Sequence, residues 1–200
     1  MHNITLESIR RGQILDATLR TISEMGIQRV TLDDIAAASG LSKGGLAHYF
    51  ATKEILFREA FREFFERIFL RSRQTMEACH TPLQKLLSFG WLYNWDDPDV
   101  NIGYPVLFDC MALAAHDEEY RTLFHEWVNS WISMLADAIV EGNNSGEFNI
   151  TEVDGAARAI SSVYHGIAVR WYLDRSSHSS EWAIMSFTRA IYGLLKKQLQ

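Results

Sequence analysis

Apolar residues along this chain recur at steps of three and four, and breaks between the runs fall at glycine, proline or hydroxyl residues. Ile14, Leu15, Thr18, Ile22 and Met25 share one helical face that stops at Gly26, a glycine suited to closing a helix. Thr31 then precedes Leu32-Asp33-Asp34-Ile35-Ala36, a capping-box start in which Asp34 replaces the usual Glu or Gln. Gly40 ends that short segment, and Ser42 is placed to cap the next one. Thr52-Lys53-Glu54 opens a long helix with Phe57, Phe61, Phe64 and Ile68 on its apolar face, widened by Phe65 and Phe69. Thr81-Pro82 pairs a cap with proline at the first helical position. Helical spacing returns in Trp91/Trp95, in Tyr120/Phe124/Trp127/Trp131/Met134/Ala138 and in Val153/Ala157/Ile160/Tyr164/Ile167/Trp171. A last helix is expected from about Glu181 to the end, with Ile184, Phe187, Ile191 and Leu194 on one face.

No strand-like alternation of useful length interrupts this pattern. The predicted class is all-α, about nine helices. An N-terminal three-helix unit over residues 1–53 precedes a larger helical domain over 54–200.

With 200 residues, 48% of them hydrophobic and 22% charged, the chain can bury a sizeable core. The longest stretch without a charged side chain, Ala159–Val169, is 11 residues, about half of what a membrane span needs. No secretory signal is expected in Met1–Arg11, and two cysteines 31 positions apart make neither a disulfide framework nor a metal spacing. A reducing cytoplasm fits best.

The net charge of −6 argues at first against nucleic acid, but it is unevenly spread. Residues 1–75 carry +2 and residues 76–200 carry −8. From Ala36 to Lys53 there is no acidic residue, while Lys43, His48 and Lys53 are present; all six Trp lie in the acidic part.

Between Thr31 and Tyr49 the sequence places two helices too short to stand alone, joined at Gly40-Leu41-Ser42. That is a helix-turn-helix, whose second helix, over residues 43–49, would enter the major groove. Lys43 brings charge, Gly44 and Gly45 remove bulk, and His48 and Tyr49 offer donors to phosphate. Two helical glycines cost about 1 kcal/mol each relative to alanine, which close approach of the backbone to DNA would explain; a frayed, loop-like segment is the alternative. Lys53 opens the following helix, where the dipole also favours a phosphate.

Thr31-Leu32-x-x-Ile35-Ala36, Gly40-Leu41-Ser42-Lys43-Gly44 and Leu46-x-His48-Tyr49-Phe50-x-x-Lys53-Glu54-x-Leu56 together resemble the N-terminal domain of TetR-family transcriptional regulators. The resemblance covers roughly residues 8–58. It implies a homodimer on a palindromic double-stranded operator, usually a repressor released when a small molecule binds the C-terminal domain. It also implies phosphate-contacting caps at Thr31 and Ser42, a groove-facing start at Lys43, Gly44 and Gly45, and backbone contacts from His48, Tyr49 and Lys53. Many members carry Thr at the place of Gly45 and Tyr at the place of Ala47; here Ala47 keeps only a methyl for a thymine.

The aromatic stripes of the C-terminal part are either core or the lining of an effector cavity. Candidate lining residues are Trp91, Trp95, Phe108, Met111, Trp127, Trp131, Tyr164, His165 and Trp171, with Asn94, Asp109, His116, Asn129 and His165 as polar interruptions. His165, flanked by Tyr164 and Gly166 mid-helix, is the leading orienting group; the alternative is that Gly166 permits close helix packing. Acidic, Trp-rich surroundings suit a lipophilic or quaternary cationic ligand through cation–π contact, with an aromatic, fatty-acyl or other drug-like ligand as the alternative. The stretch from Pro82 to Trp171 is also weakly similar to choline-responsive repressors of betaine synthesis, through His116-Asp117-Glu118-Glu119-Tyr120 and Tyr164-His165-Gly166-x-x-x-Arg170-Trp171. It departs from them at His165, where Asp is usual. Family resemblance places the dimer interface on the last two helices, at Ile160, Val163, Ile167, Ile184, Phe187, Ile191 and Leu195, although these residues serve equally as intrachain core.

No cofactor, metal site or enzyme is expected. His125-Glu126-x-x-Asn129 lacks the last zinc ligand of a protease motif, and Asp96-Asp97-x-Asp99 lacks the glycine and glutamate of a calcium loop and reads as a solvated corner. A constitutive dimeric DNA-binding protein, its C-terminal domain only a scaffold, is the alternative function.

Overall fold

A computed structural model describes residues 6–196. Its elements are α1 (Leu6–Met25), α2 (Leu32–Ala38), α3 (Lys43–Tyr49), α4 (Lys53–Glu77), α5 (Pro82–Leu87), a 3-10 turn (Phe89–Tyr93), α6 (Pro98–Ala114), α7 (Glu118–Ser145), α8 (Val153–Leu173) and α9 (Ser180–Lys196). No strand occurs among the described residues. Gly26 and Gly40 both adopt positive φ, at +76° and +65°, and so close α1 and α2 without strain.

The chain divides into two compact units, one formed by residues up to Arg67 with Asn101–Phe124, the other by Ile68–Val100 with the chain from His125 onward. The first unit contains α1–α3, most of α4, α6 from Asn101 on and the opening turns of α7. Ile14, Leu19, Ile22, Ile35, Leu46, Leu56 and Phe61 form its fully buried centre. Helix α6 lies close on α4 at Gly103, where a Cβ would stand 2.8 Å from the Phe64 ring. Tyr120 and Phe124 from α7 set their ring edges against Phe61 and Phe65 of α4.

The second unit is centred on α8 and α9. Ile160, Tyr164, Trp171, Phe187 and Ile191 are all buried within it. Two tyrosines fasten the short elements to α8: Tyr93 donates to the Tyr164 carbonyl at 3.1 Å, and Tyr164 donates to the Leu86 carbonyl at 2.6 Å. Thr81 caps α5 in a full capping box with Gln84.

Trp91 and Trp95 do not share a helix, contrary to their spacing of four. Trp91 lies in the 3-10 turn and Trp95 in the loop before α6, because Gly90 and Pro98 leave too short a run for an α-helix. The Asp96–Asp99 corner is also more than solvated. Arg71 donates to Asp97 and Asp99, and its guanidinium lies 3.9 Å from the Trp91 ring centroid. The hydrogen bond from Arg71 holds the Asp97 carboxyl below the usual carboxylate range.

Candidate nucleic-acid interface and effector region

The recognition segment is built by caps and clamps. Thr31 accepts from the Asp34 backbone N–H at 3.3 Å, while the Asp34 carboxylate accepts from the Thr31 N–H at 2.8 Å and from its hydroxyl at 2.7 Å. These bonds pull the Asp34 carboxyl below its ordinary range. Ser42 accepts from the Gly45 N–H at 3.1 Å and starts α3. Leu46, 1% exposed, is the single buried side chain of α3 and roots it in the unit.

Two arginines of α1, which sequence reasoning missed, hold the helix-turn-helix from behind. Arg10 donates to the Ser39 carbonyl at 3.1 Å, just past α2. Arg11 donates to the Tyr49 carbonyl at 2.8 Å, pairs with Glu59 of α4 and lies 4.4 Å from the Phe50 ring centroid. A cation at the last carbonyls of α3 also suits the negative end of that helix.

Lys43, Gly44, Ala47 and His48 are all exposed, and their spacing puts them on one face of α3; Gly45 and Tyr49 are half-buried beside it. Among the described residues nothing explains Gly44, since a Cβ there would meet no atom within 4 Å. At Gly45 a Cβ would make ordinary contacts, the nearest 3.4 Å from the Ser42 hydroxyl. Lys43 pairs across the turn with Asp33 at 3.1 Å, both side chains well exposed. Lys53, at the start of α4, donates to the Val30 carbonyl at 2.5 Å and lies 5.0 Å from the Phe57 ring centroid. Its ammonium therefore braces the α1–α2 loop.

Apart from Trp91, the aromatic candidates of the second unit form two groups joined through Tyr93 and Phe187. Trp127, Trp131, Tyr164 and His165 gather with Phe89: Trp131 lies 4.7 Å from Phe89, and the His165 ring 5.4 Å from Trp127 and 6.3 Å from Trp131. Desolvation lowers the His165 pKa, so the imidazole is neutral at neutral pH. Its Nδ1 approaches the Ser161 hydroxyl at 3.5 Å. The indole N–H of Trp131 is buried without an acceptor among the described residues. Trp95 and Trp171 stack at 3.9 Å, with the Arg175 guanidinium 3.3 Å from the Trp95 ring centroid. Two aromatic faces, those of Trp91 and Trp95, thus already carry the chain's own cations. Phe108 and Met111 belong to the first unit, where Phe108 neighbours Tyr104 and Met111 is exposed.

Several polar interruptions have partners within the chain. Asn94 accepts from the Asp96 N–H at 3.0 Å, and Asn129 bonds with exposed His125 at 2.8 Å. Asp109 accepts from the Ile27 N–H at 2.8 Å. Gly166 is exposed, with no atom within 4 Å of a Cβ, so among the described residues no helix packs closely there.

Of the residues expected at a dimer interface, Ile160, Phe187, Ile191 and Leu195 are buried within the chain, where α8 and α9 pack on each other. Val163 and Ile167 are half-buried and Ile184 is 41% exposed, with Met185 and Tyr192 exposed on α9 beside it. Among the described residues no helix is long and apolar enough to cross a membrane, and no three His, Cys, Asp or Glu side chains gather as a metal site.

Comparison with known proteins matches this arrangement at both ends. Residues 14–60 match the family of bacterial regulatory proteins of the tetR type, and residues 103–196 match the C-terminal domain of BetI-type transcriptional repressors. The chain is 23% identical over 188 residues to the HTH-type transcriptional repressor KstR2 of Mycolicibacterium smegmatis, covering 92% of this chain and 89% of that one. It is 30% identical over 128 residues to the HTH-type transcriptional regulator BetI of Burkholderia ambifaria, covering 62% of this chain and 65% of the relative. Its fold is shared with a transcriptional regulator from Saccharomonospora viridis solved in complex with choline, at a TM-score of 0.83 and 20% identity, covering 92% and 96% of the two chains. It is shared equally with a TetR-family regulator from Cytophaga hutchinsonii, at a TM-score of 0.84 and 22% identity, covering 96% and 98%. The capped two-helix head and the matches at both ends establish this chain as a transcriptional regulator of the TetR family with a BetI-type C-terminal domain.

Proposed function

We propose that this regulator is a homodimeric repressor. It reads a palindromic operator with α3 of each protomer and is released by a small-molecule effector bound in its C-terminal domain. The observation that carries the reading is the outer face of α3. Lys43, Gly44, Ala47 and His48 stand exposed on a helix rooted by one leucine, and no contact among the described residues requires the glycine. Thr31, Ser42, Gly45, Tyr49 and Lys53 border that face and complete the proposed contact set. A single α3 spans too few base pairs for useful specificity, which favours two copies on a symmetric site.

Dimerisation through α8 and α9 is supported by what those helices leave uncovered. Val163, Gly166 and Ile167 recur at helical spacing on α8, and Ile184, Met185 and Tyr192 present apolar surface on α9. The buried members of the expected set act indirectly, by fixing the two helices together.

For the effector, the choline in the Saccharomonospora viridis structure and the BetI-type match favour an organic cation. Trp127, Trp131 and Tyr164 supply ring surface, and a neutral His165 beside them does not repel a positive ligand. Choline and tetramethylammonium, titrated while Trp fluorescence is read, are the first probes. A scaffold without effector predicts a flat response to both and to an aromatic carboxylate control.

DNA contact is tested by binding to a duplex enriched by in vitro selection, measured against salt concentration. Lys43→Ala and Lys53→Ala are each expected to lower the salt slope by about one. Because Asp33 holds Lys43 in the free protein, Asp33→Asn is expected to tighten binding. Unchanged slopes in both lysine variants would refute the contact assignment.

A further inference from the structure

Helix α6 is joined to α1 and to the loop that follows it by two hydrogen bonds, each between a side chain and a backbone group. Pro105 has no N–H to give to the Asn101 carbonyl one turn earlier, and the Ser23 hydroxyl of α1 donates to that carbonyl at 3.4 Å. Two turns further along α6, Asp109 accepts the N–H of Ile27 at 2.8 Å across 82 residues of sequence. Ile27 follows Gly26, the positive-φ residue that ends α1, and its own side chain is 6% exposed. The loop it opens runs to Thr31, the cap of α2, and is braced once more where Lys53 donates to Val30. The α1–α2 loop is therefore fixed from two sides, at Ile27 by α6 and at Val30 by α4.

We propose that Asp109 is the positioning residue through which α6 sets the α1–α2 loop, and through it the placement of α2 and α3 on the operator. This rests on the DNA-contact reading above. The chemistry supports a dedicated role. A half-buried carboxylate receives one backbone N–H and no cation among the described residues, and burial pushes its pKa up. Such a group weakens global stability while giving its one bond extra strength and direction. Sited on α6, it transmits any displacement of that helix to the loop directly, without passing through α4. The mechanical logic is simple: α2 and α3 are seven residues each and root in the unit by few side chains, so their placement depends on the loop that precedes them.

The test uses the full chain with Asp109→Ala and Asp109→Asn, since the asparagine amide oxygen can accept the same N–H. Three quantities are read: amide exchange at Ile27, affinity for the duplex selected by the wild-type protein, and affinity for a scrambled duplex of equal length. Asp109→Ala is expected to speed Ile27 exchange at least about tenfold and to weaken the selected duplex about tenfold. The scrambled duplex, held by phosphate contacts, should change less than about twofold. Asp109→Asn should restore both protection and affinity. The proposal is overturned if Asp109→Ala binds the selected duplex like wild type. It is equally overturned if both duplexes weaken together in step with a fall in Tm, or if Asp109→Asn protects Ile27 yet binds like the alanine variant. Failure of the wild-type protein to enrich any duplex would instead remove the DNA-contact reading, and with it this extension.

Discussion

His165 lies in the middle of α8 beside the indole rings of Trp127 and Trp131, and its burial makes the charged form costly. The sign of its effect on stability follows from that lowered pKa. Below the ordinary histidine value of about 6.5 the unfolded chain takes up a proton that the folded chain resists, so stability is present above that pH and lost as pH falls through it. Tm is therefore expected to drop between roughly pH 7 and pH 5, and His165→Phe should flatten that part of the profile. An identical acid-side slope in both proteins would show that His165 is charged or exposed in the folded state. Near-neighbour chemistry of this kind was legible in the sequence, because the histidine interrupts an apolar stripe. Its neighbours were only half legible. Trp127 and Trp131 share the helical repeat, whereas Phe89 arrives from a 3-10 turn whose position no local rule gives.

At the scale of elements, the parts read correctly are those governed by neighbours a few positions away. The Thr31–Asp34 box, the Ser42 cap, the glycine stop after α1 and the Thr81-Pro82 start all follow from orphan backbone groups at helix ends. Contacts between elements stayed hidden because they join residues far apart. Arg11 to Tyr49 spans 38 positions, Arg71 to Asp97 spans 26, and Asp109 to Ile27 spans 82. The aspartates at 97 and 99 read as solvent-facing for that reason, although Arg71 of α4 was their destination. Helix α3 offers a sharp element-scale test. Its glycines weaken the helix, and Gly44 has open space around it, so Gly44→Ala should raise stability of the free protein by up to about 1 kcal/mol. The same methyl group would stand on the face offered to DNA and should weaken operator binding about tenfold. Measuring Tm and affinity together separates the two effects; unchanged or tighter DNA binding by a more stable variant would remove α3's glycine face from the interface.

For the whole molecule, the division of labour is carried by charge as much as by fold. The segment from Ala36 to Lys53, which includes the helix proposed to enter DNA, is free of acidic residues, while the chain after residue 75 carries −8 and every tryptophan. If α8 and α9 form the dimer, Gly166 marks where a second copy approaches, because the helix is exposed and uncrowded there. Gly166→Leu should leave the fold of one chain intact and shift sedimentation from dimer toward monomer at micromolar concentration. A variant that stays dimeric with wild-type affinity would place the interface elsewhere. The stack of Trp95 on Trp171 has a further, optical consequence. Two nearly parallel indoles at 3.9 Å do not absorb as independent chromophores; their transitions couple and give a paired band in circular dichroism. Trp95→Leu would erase that band while sparing Trp127 and Trp131. The protein thereby carries its own ruler for the junction between α8 and the loop before α6, readable without any label.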